Sequence, residues 1–216
     1  MKNHPLVIKP TRFINVTTKL TLNVPMPARP AYIPRPHFNG RPDPSELDWN
    51  LVPKTIWGSN LRTRLPKKDW DILRHETYPI NAIGKTYLCE WCNSSGLLQQ
   101  RKHPVECHEW WDYDDTEHIQ KLEGLLCLCP LCHAECHYGR SKAVFSRTQL
   151  RVLHSHIKYL HCMDDEKLQE GIAHEFELWH KRSQHKWEQD LSWLATKEGH
   201  KVTHIPAYKG LKEINL

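Results

Sequence analysis

Residues 122–140 read LEGLLCLCPLCHAECHYGR. The stretch opens on an apolar run from Gly124 to Cys129, makes a Cys129-x2-Cys132 turn with Pro130 inside it, and ends with His133 and His137 four residues apart. The apolar run is short enough to be a buried strand. Proline is well placed at the first position of a helix, where its missing N–H costs nothing, and Gly139 suits the residue just past a helix end. The spacing therefore predicts a short helix over residues 130–138. Residues four apart share a helical face, so His133 and His137 can act together on a metal or a phosphate.

A second turn of the same kind, Cys89-x2-Cys92, lies upstream. Each C-x2-C turn can point two thiolates at one tetrahedral ion. The chain has eight cysteines and no export signal, and in a reducing compartment thiols bind metal far more often than they pair as disulfides. Cys89, Cys92, Cys129 and Cys132 are thus expected to hold a structural zinc. Its binding, on the order of 10–16 kcal/mol, can order a segment such as 82–140 that has little core of its own. Cys107, Cys127, Cys136 and Cys162 lack such pairing and read as small buried apolar groups. Cys136, one helical turn after Cys132, is the alternative fourth ligand. A β-prone run at Pro104–Glu109 can pair with Gly124–Cys129 as a hairpin, and the zinc would then draw the helix against a strand carrying Glu106, Cys107, His108 and Glu109.

Working outward, ten of the fifteen prolines lie in residues 1–53, and PMPARPAYIPRPHFNGRPDP (25–44) should run extended as an arm. Phe13–Val24 is β-branched enough for one or two edge strands, with a disordered tail as the alternative. Residues 1–66 hold ten Lys/Arg against three Asp/Glu, while residues 67–216 hold twenty against twenty-two, so all of the net positive charge is N-terminal. Pro66 starts a helix over 67–77 that ends before Pro79. Leu150, Leu153, Ile157 and Leu160, then Leu168, Ile172, Phe176 and Trp179, fall at helical spacing and predict two amphipathic helices, with Asp164 or Asp165 capping the second. Trp187, Leu191 and Leu194 extend that apolar pattern. Trp110 and Trp111 are expected to pack over the zinc module. Asp112, Asp114 and Asp115 read as a solvated acidic loop, and His103, His118, His154, His156 and His161 as residues on solvated faces. No run of ten apolar residues and no secretory signal occurs, so the chain is expected to be soluble and cytoplasmic. The composition excludes collagen, a coiled coil and a wholly disordered chain.

Four stretches together resemble the HNH endonuclease family, in its bacterial and phage members with a four-cysteine zinc: LVPKTIWGSNLRTRLPKKDWDILR (51–74), CEWC (89–92), HPVECHEWWDYDD (103–115) and LEGLLCLCPLCHAECHYGR (122–140). A weaker similarity continues through HKRSQHKWEQDLSWL (180–194). The resemblance implies an α+β protein with a zinc-stabilised ββα-metal core. The corresponding domains are a basic Pro-rich arm over 1–53, a nuclease core with its preceding helix over 54–140, and a helical extension over 141–216.

The resemblance also implies metal-dependent hydrolysis of phosphodiester bonds in nucleic acid, in particular double-stranded DNA inside a bacterial host cell. In it His108 matches the general base that takes a proton from the attacking water. His137 matches a ligand of the catalytic divalent ion, Mg²⁺ or another, with His133 beside it and Glu109 or Glu106 supplying a carboxylate. Arg140, Lys142 and Arg147, and Arg62 and Arg64 upstream, are the candidate phosphate contacts. Two departures stand out. The Asn that the family places between its two histidines is missing, with Gln120, Leu122 and Glu123 near that place, and Cys107 stands where a His or Asp ligand is usual. They leave open a second reading, a zinc module that binds nucleic acid or a protein without cleaving. His133-Ala134-Glu135 mimics the H-x-E of zinc deaminases, but there a P-C-x-x-C follows, whereas here the thiolate turn comes first.

Overall fold

The computed structural model describes residues 49–78, 87–92 and 94–195. The expected arm up to residue 48, the strands at 13–24 and the chain beyond 195 lie outside these. Among the described residues the chain is a mixture of six helices and one three-stranded sheet. The helices are α1 (Leu61–Arg64), α2 (Lys67–Thr77), α3 (Pro130–Cys136), α4 (Tyr138–Val144), α5 (Arg147–His161) and α6 (Asp165–Arg182). The strands are β1 (Glu106–Asp114), β2 (Ile119–Leu128) and β3 (Glu188–Asp190), in the order β1-β2-β3.

The hairpin expected from two short runs is present and longer than those runs. Its antiparallel register pairs Cys107 with Cys127, His108 with Leu126 and Tyr113 with Gln120. Strict alternation along β2 would set Leu122, Leu126 and Leu128 on one face. A bulge intervenes: Trp110 faces Gly124 while the next residue, Trp111, faces Leu122. The extra residue in β2 reverses its alternation, and Gly124 takes the φ of +154° that the bend requires. Leu126 and Leu128 therefore pack with Trp110 and the C-x2-C cysteines on one side of the sheet. Leu122 packs on the other, with Trp111, Tyr113, Ile56, Leu61, Leu73, Trp187 and Leu194. Trp110 covers the cysteine module as expected and Trp111 does not.

α2 and the two long helices form where expected. α5 starts in a capping box made by Ser146 and Gln149, and α6 starts at Asp164, whose side chain accepts from the Lys167 N–H at 2.9 Å. α5 and α6 share a third core, in which Leu153, Ile157, Leu168 and Ile172 pack with Tyr138 and with Trp49 and Leu51. The last residues of the expected arm are thus part of the folded core. Arg182, 7% exposed, closes the hairpin tip onto α6 through two 2.8 Å bonds to the Asp115 carboxylate and a face contact with Tyr113.

Three expectations are corrected. Gly139 does not end the histidine helix, because His137 alone breaks it and the chain re-enters helix at Tyr138, burying Tyr138 and Ser141. Trp187, Leu191 and Leu194 do not continue an α-helix. Trp187 and Leu191 flank β3, which pairs parallel to β2, and Leu194 lies in a 3-10 turn at Ser192–Ala195. Cys162 is exposed, since it ends α5 in the left-handed conformation (φ 56°). No helix among the described residues is long and apolar enough to cross a membrane.

If the bulge sets which side each β2 residue faces, Leu122→Ala should cost about 2–5 kcal/mol of stability in urea unfolding. Glu123→Ala, at the extra residue, should stay within about 0.5 kcal/mol.

Candidate metal centres and the cleft beside them

The two C-x2-C turns meet. The Sγ atoms of Cys89, Cys92, Cys129 and Cys132 all lie within 4.8 Å of one another, with Cys92 and Cys129 at 3.5 Å. A tetrahedral ion with sulfur bonds of about 2.3 Å needs sulfurs close to that separation. The surroundings also suit thiolates: Gln99 Nε2 lies 3.1 Å from Cys129 Sγ, His156 Nε2 lies 3.1 Å from Cys132 Sγ, and the Trp91 N–H donates to Cys89 Sγ at 3.4 Å. Crowding works the other way. The Cys129 thiol is pushed far down by hydrogen bonds from Cys132, Cys89 and Cys92, while burial pushes Cys132 up. One negative charge is stable in this cage, and four need a cation. The donor set therefore fits a metal ion. Cys136 is buried against the cluster without joining it, and Cys107, half-buried, has its thiol pushed up to about 12 by burial on the other face of β1.

The loop leading into this cage is tightly turned. Gln99 also accepts from the Leu131 N–H at 3.2 Å, tying the loop to the first turn of α3. At Gly96 the loop passes so close to its neighbours that an added Cβ would sit 2.2 Å from the His103 carbonyl oxygen and 2.8 Å from Pro130 Cδ.

Because Cys129 and Cys132 bracket the start of α3, the cage fixes that helix across β1. His108 on β1 then meets His133 and His137. Ring centroids are 5.4 Å apart for His108 and His133, 4.9 Å for His108 and His137, and 4.6 Å for His133 and His137. Their nearest ring nitrogens fall within 4.8 Å of one another, so the three can share an ion. His108 is buried and the other two are half-buried. Burial, followed by the neighbouring His133 and Arg140, pushes His137 down to about 3, which leaves a neutral imidazole with a free lone pair at neutral pH.

The carboxylate at this site is Glu106. Two residues before His108, it shares the same face of β1 and pairs with His133 Nδ1, while its other oxygen lies 2.7 Å from His103 Nε2. These partners, His133 above all, hold the Glu106 carboxyl down to about 2. Glu109 faces the opposite side. Its Oε1 accepts from the Leu61 N–H at 2.8 Å at the start of α1, and burial pushes its carboxyl up to about 7. Glu109 thus anchors the segment before β1 and is not grouped with the histidines. His103 is exposed, as expected, and reaches Glu106, whereas His161 is buried and pairs with Glu135 behind α3, where Trp49 Nε1 also reaches Glu135 at 3.4 Å. His161 sits four residues after Ile157 on the apolar face of α5, which is the one sequence signal for its burial.

A cleft of about 690 Å³ opens beside the histidines, between β1, α3 and the 49–62 segment. Arg62, from α1, and Arg140, from α4, both line it, whereas Arg64 and Lys142 do not. Arg64 reaches back toward Ser59 and Lys142 lies over the Phe176 ring. Compared with known families, curated proteins and solved structures, the chain matches none.

Three variants probe the cage. Elemental analysis should find one tightly held metal ion per chain that is lost when Cys92 and Cys129 are both replaced by Ser. Gln99→Ala should lower metal affinity about 10- to 100-fold, as removal of a partner of a metal ligand commonly does. Gly96→Ala should speed metal loss to a colorimetric chelator and lower the melting temperature.

Proposed function

We propose that this chain is a divalent-metal-dependent phosphodiester hydrolase of the HNH type, acting on DNA. The observation that carries the reading is the convergence of His108, from a strand, with His133 and His137, from a helix fixed by the sulfur cage, at a cleft walled by Arg62 and Arg140. Two arginines from separate helices suit a chain of phosphates. The cage is read as structural zinc, because four buried thiolates form a closed coordination sphere with no place for a substrate.

In this reading His133 and His137 would hold the catalytic ion, which supplies a Lewis acid to the scissile phosphate. Imidazoles favour Mn²⁺, Ni²⁺ or Zn²⁺ over Mg²⁺, so the expected order of activation places Mg²⁺ below those ions. His108 takes a proton from the attacking water. Glu106, charged at any working pH by its contacts with His133 and His103, fixes the His133 ring from behind. Arg62 and Arg140 hold phosphates on the two sides of the scissile bond.

The test is cleavage of supercoiled plasmid with Mg²⁺, Mn²⁺, Ni²⁺ or Zn²⁺ added singly. His108→Ala should lower the rate about 10²- to 10⁴-fold while leaving the metal content of the cage intact, and Glu106→Ala should slow cleavage more than Glu109→Gln does. Equal rates for wild type and His108→Ala would remove catalysis and leave a binding module.

A further inference from the structure

Six of the nine tryptophans line the cleft beside the histidines. Trp49, Trp70, Trp110, Trp111 and Trp179 are buried or half-buried and build its walls. Trp57 is 68% exposed. Its backbone is nonetheless fixed: Ile56 on one side and Leu61 beyond are both in the core, and the Ser59 N–H donates to the Ile56 carbonyl at 3.1 Å. Gly58 turns the chain with a φ of +81°, and the Thr63 hydroxyl donates to its carbonyl at 3.0 Å. An indole is thus held on a rigid loop, at the rim of the cleft, with its surface left to solvent.

Three features say what would cover it. The cleft wall carries Arg62 and Arg140, and the one carboxylate among its lining residues, Glu109, is occupied by the Leu61 N–H, so the visitor is an anion. The volume of about 690 Å³ lies in the range of sites that enclose one small molecule, which is room for a single nucleotide. An indole face takes a flat ring, and a base inside a duplex has both of its faces covered by neighbours.

The geometry points to a strand that enters this cleft unpaired, with one base stacked on Trp57 and its flanking phosphates between Arg62 and Arg140. This rests on the nuclease reading above and narrows it to DNA that is single-stranded or has a splayed end or branch at the cut. Trp57 is then a specificity residue: it selects the unpaired state, while the histidines act on whatever phosphate is delivered.

The test measures binding by fluorescence anisotropy, with no divalent ion added, in the full-length chain. The probes are a blunt duplex, the same duplex with a thymidine tail, and the tail alone. Wild type should bind the tailed and single-stranded probes more tightly than the blunt duplex. Trp57→Ala should lose roughly tenfold or more on those two probes and little on the duplex, and Trp57→Phe should recover most of the loss. Leu98→Ala, which removes a side chain 79% exposed elsewhere, is the control and should change nothing. An unchanged melting temperature and metal content for Trp57→Ala would exclude misfolding. Binding and cleavage that persist undiminished without Trp57 would overturn this inference and leave the nuclease reading standing. Failure of wild type to bind any probe, together with absence of plasmid cleavage, would overturn both. Sedimentation in which wild type is a dimer and Trp57→Ala a monomer would show that a second copy of the chain covers the indole, and would overturn the inference alone.

Discussion

The meeting of four sulfurs from two turns far apart in the chain is the constraint from which the site follows. α3 is a helix of seven residues, too short to persist in water by its own hydrogen bonds. It is held at its start by Cys129 and Cys132, at its first turn by the Gln99 side-chain oxygen, which accepts from the Leu131 N–H, and along its buried side by Glu135. Remove the cage and the positions of His133 and His137 relative to β1 lose their cause. The two candidate metal groups are thus separated by residue type, sulfur in one and imidazole in the other, yet they share one helix.

The edge position of β1 is the second determinant. Among the described residues β1 has β2 on one side and no strand on the other, so it can offer both its faces and that edge to other elements. The even-numbered residues Glu106, His108 and Trp110 face α3, while Cys107, Glu109 and Trp111 face the 54–77 segment and the C-terminal turn. Glu109 uses its face to accept from the amide at the start of α1, which brings Arg62 to the cleft. One strand therefore organises both walls, the histidine wall and the arginine wall, through alternate side chains. The bulge lets this happen without unsealing either core, because it returns Leu122 to the side where Trp111 and Tyr113 need a partner.

Much of this was legible in the sequence where a residue's role is set by its neighbours in the chain. The C-x2-C turns, the four-residue spacing of the histidines, the capping residues of α5 and α6 and the apolar stripes of those helices are all local patterns. What escaped is set by contacts across the fold. Glu106 and Glu109 are indistinguishable as letters beside His108; only the parity of the strand assigns one to the histidines and the other to the amide of Leu61. The role of Gly124 depends on register, which no window on β2 alone reveals. His161 looks like any polar residue near a helix end until Glu135 arrives opposite it from another helix.

The placement of charge carries the functional reading a step further than net charge does. The excess of Lys and Arg lies in the N-terminal third, mostly outside the described residues, which are themselves close to neutral. A neutral body attracts a polyanion weakly at long range, so capture by the fold itself must come from a few cations at short range. Arg62 and Arg140 are such cations, and they stand where hydrogen bonds to phosphate would add to charge. Under the proposed reading, contact with one base and its phosphates would make shape at the cut, rather than sequence along the groove, the property this cleft reads.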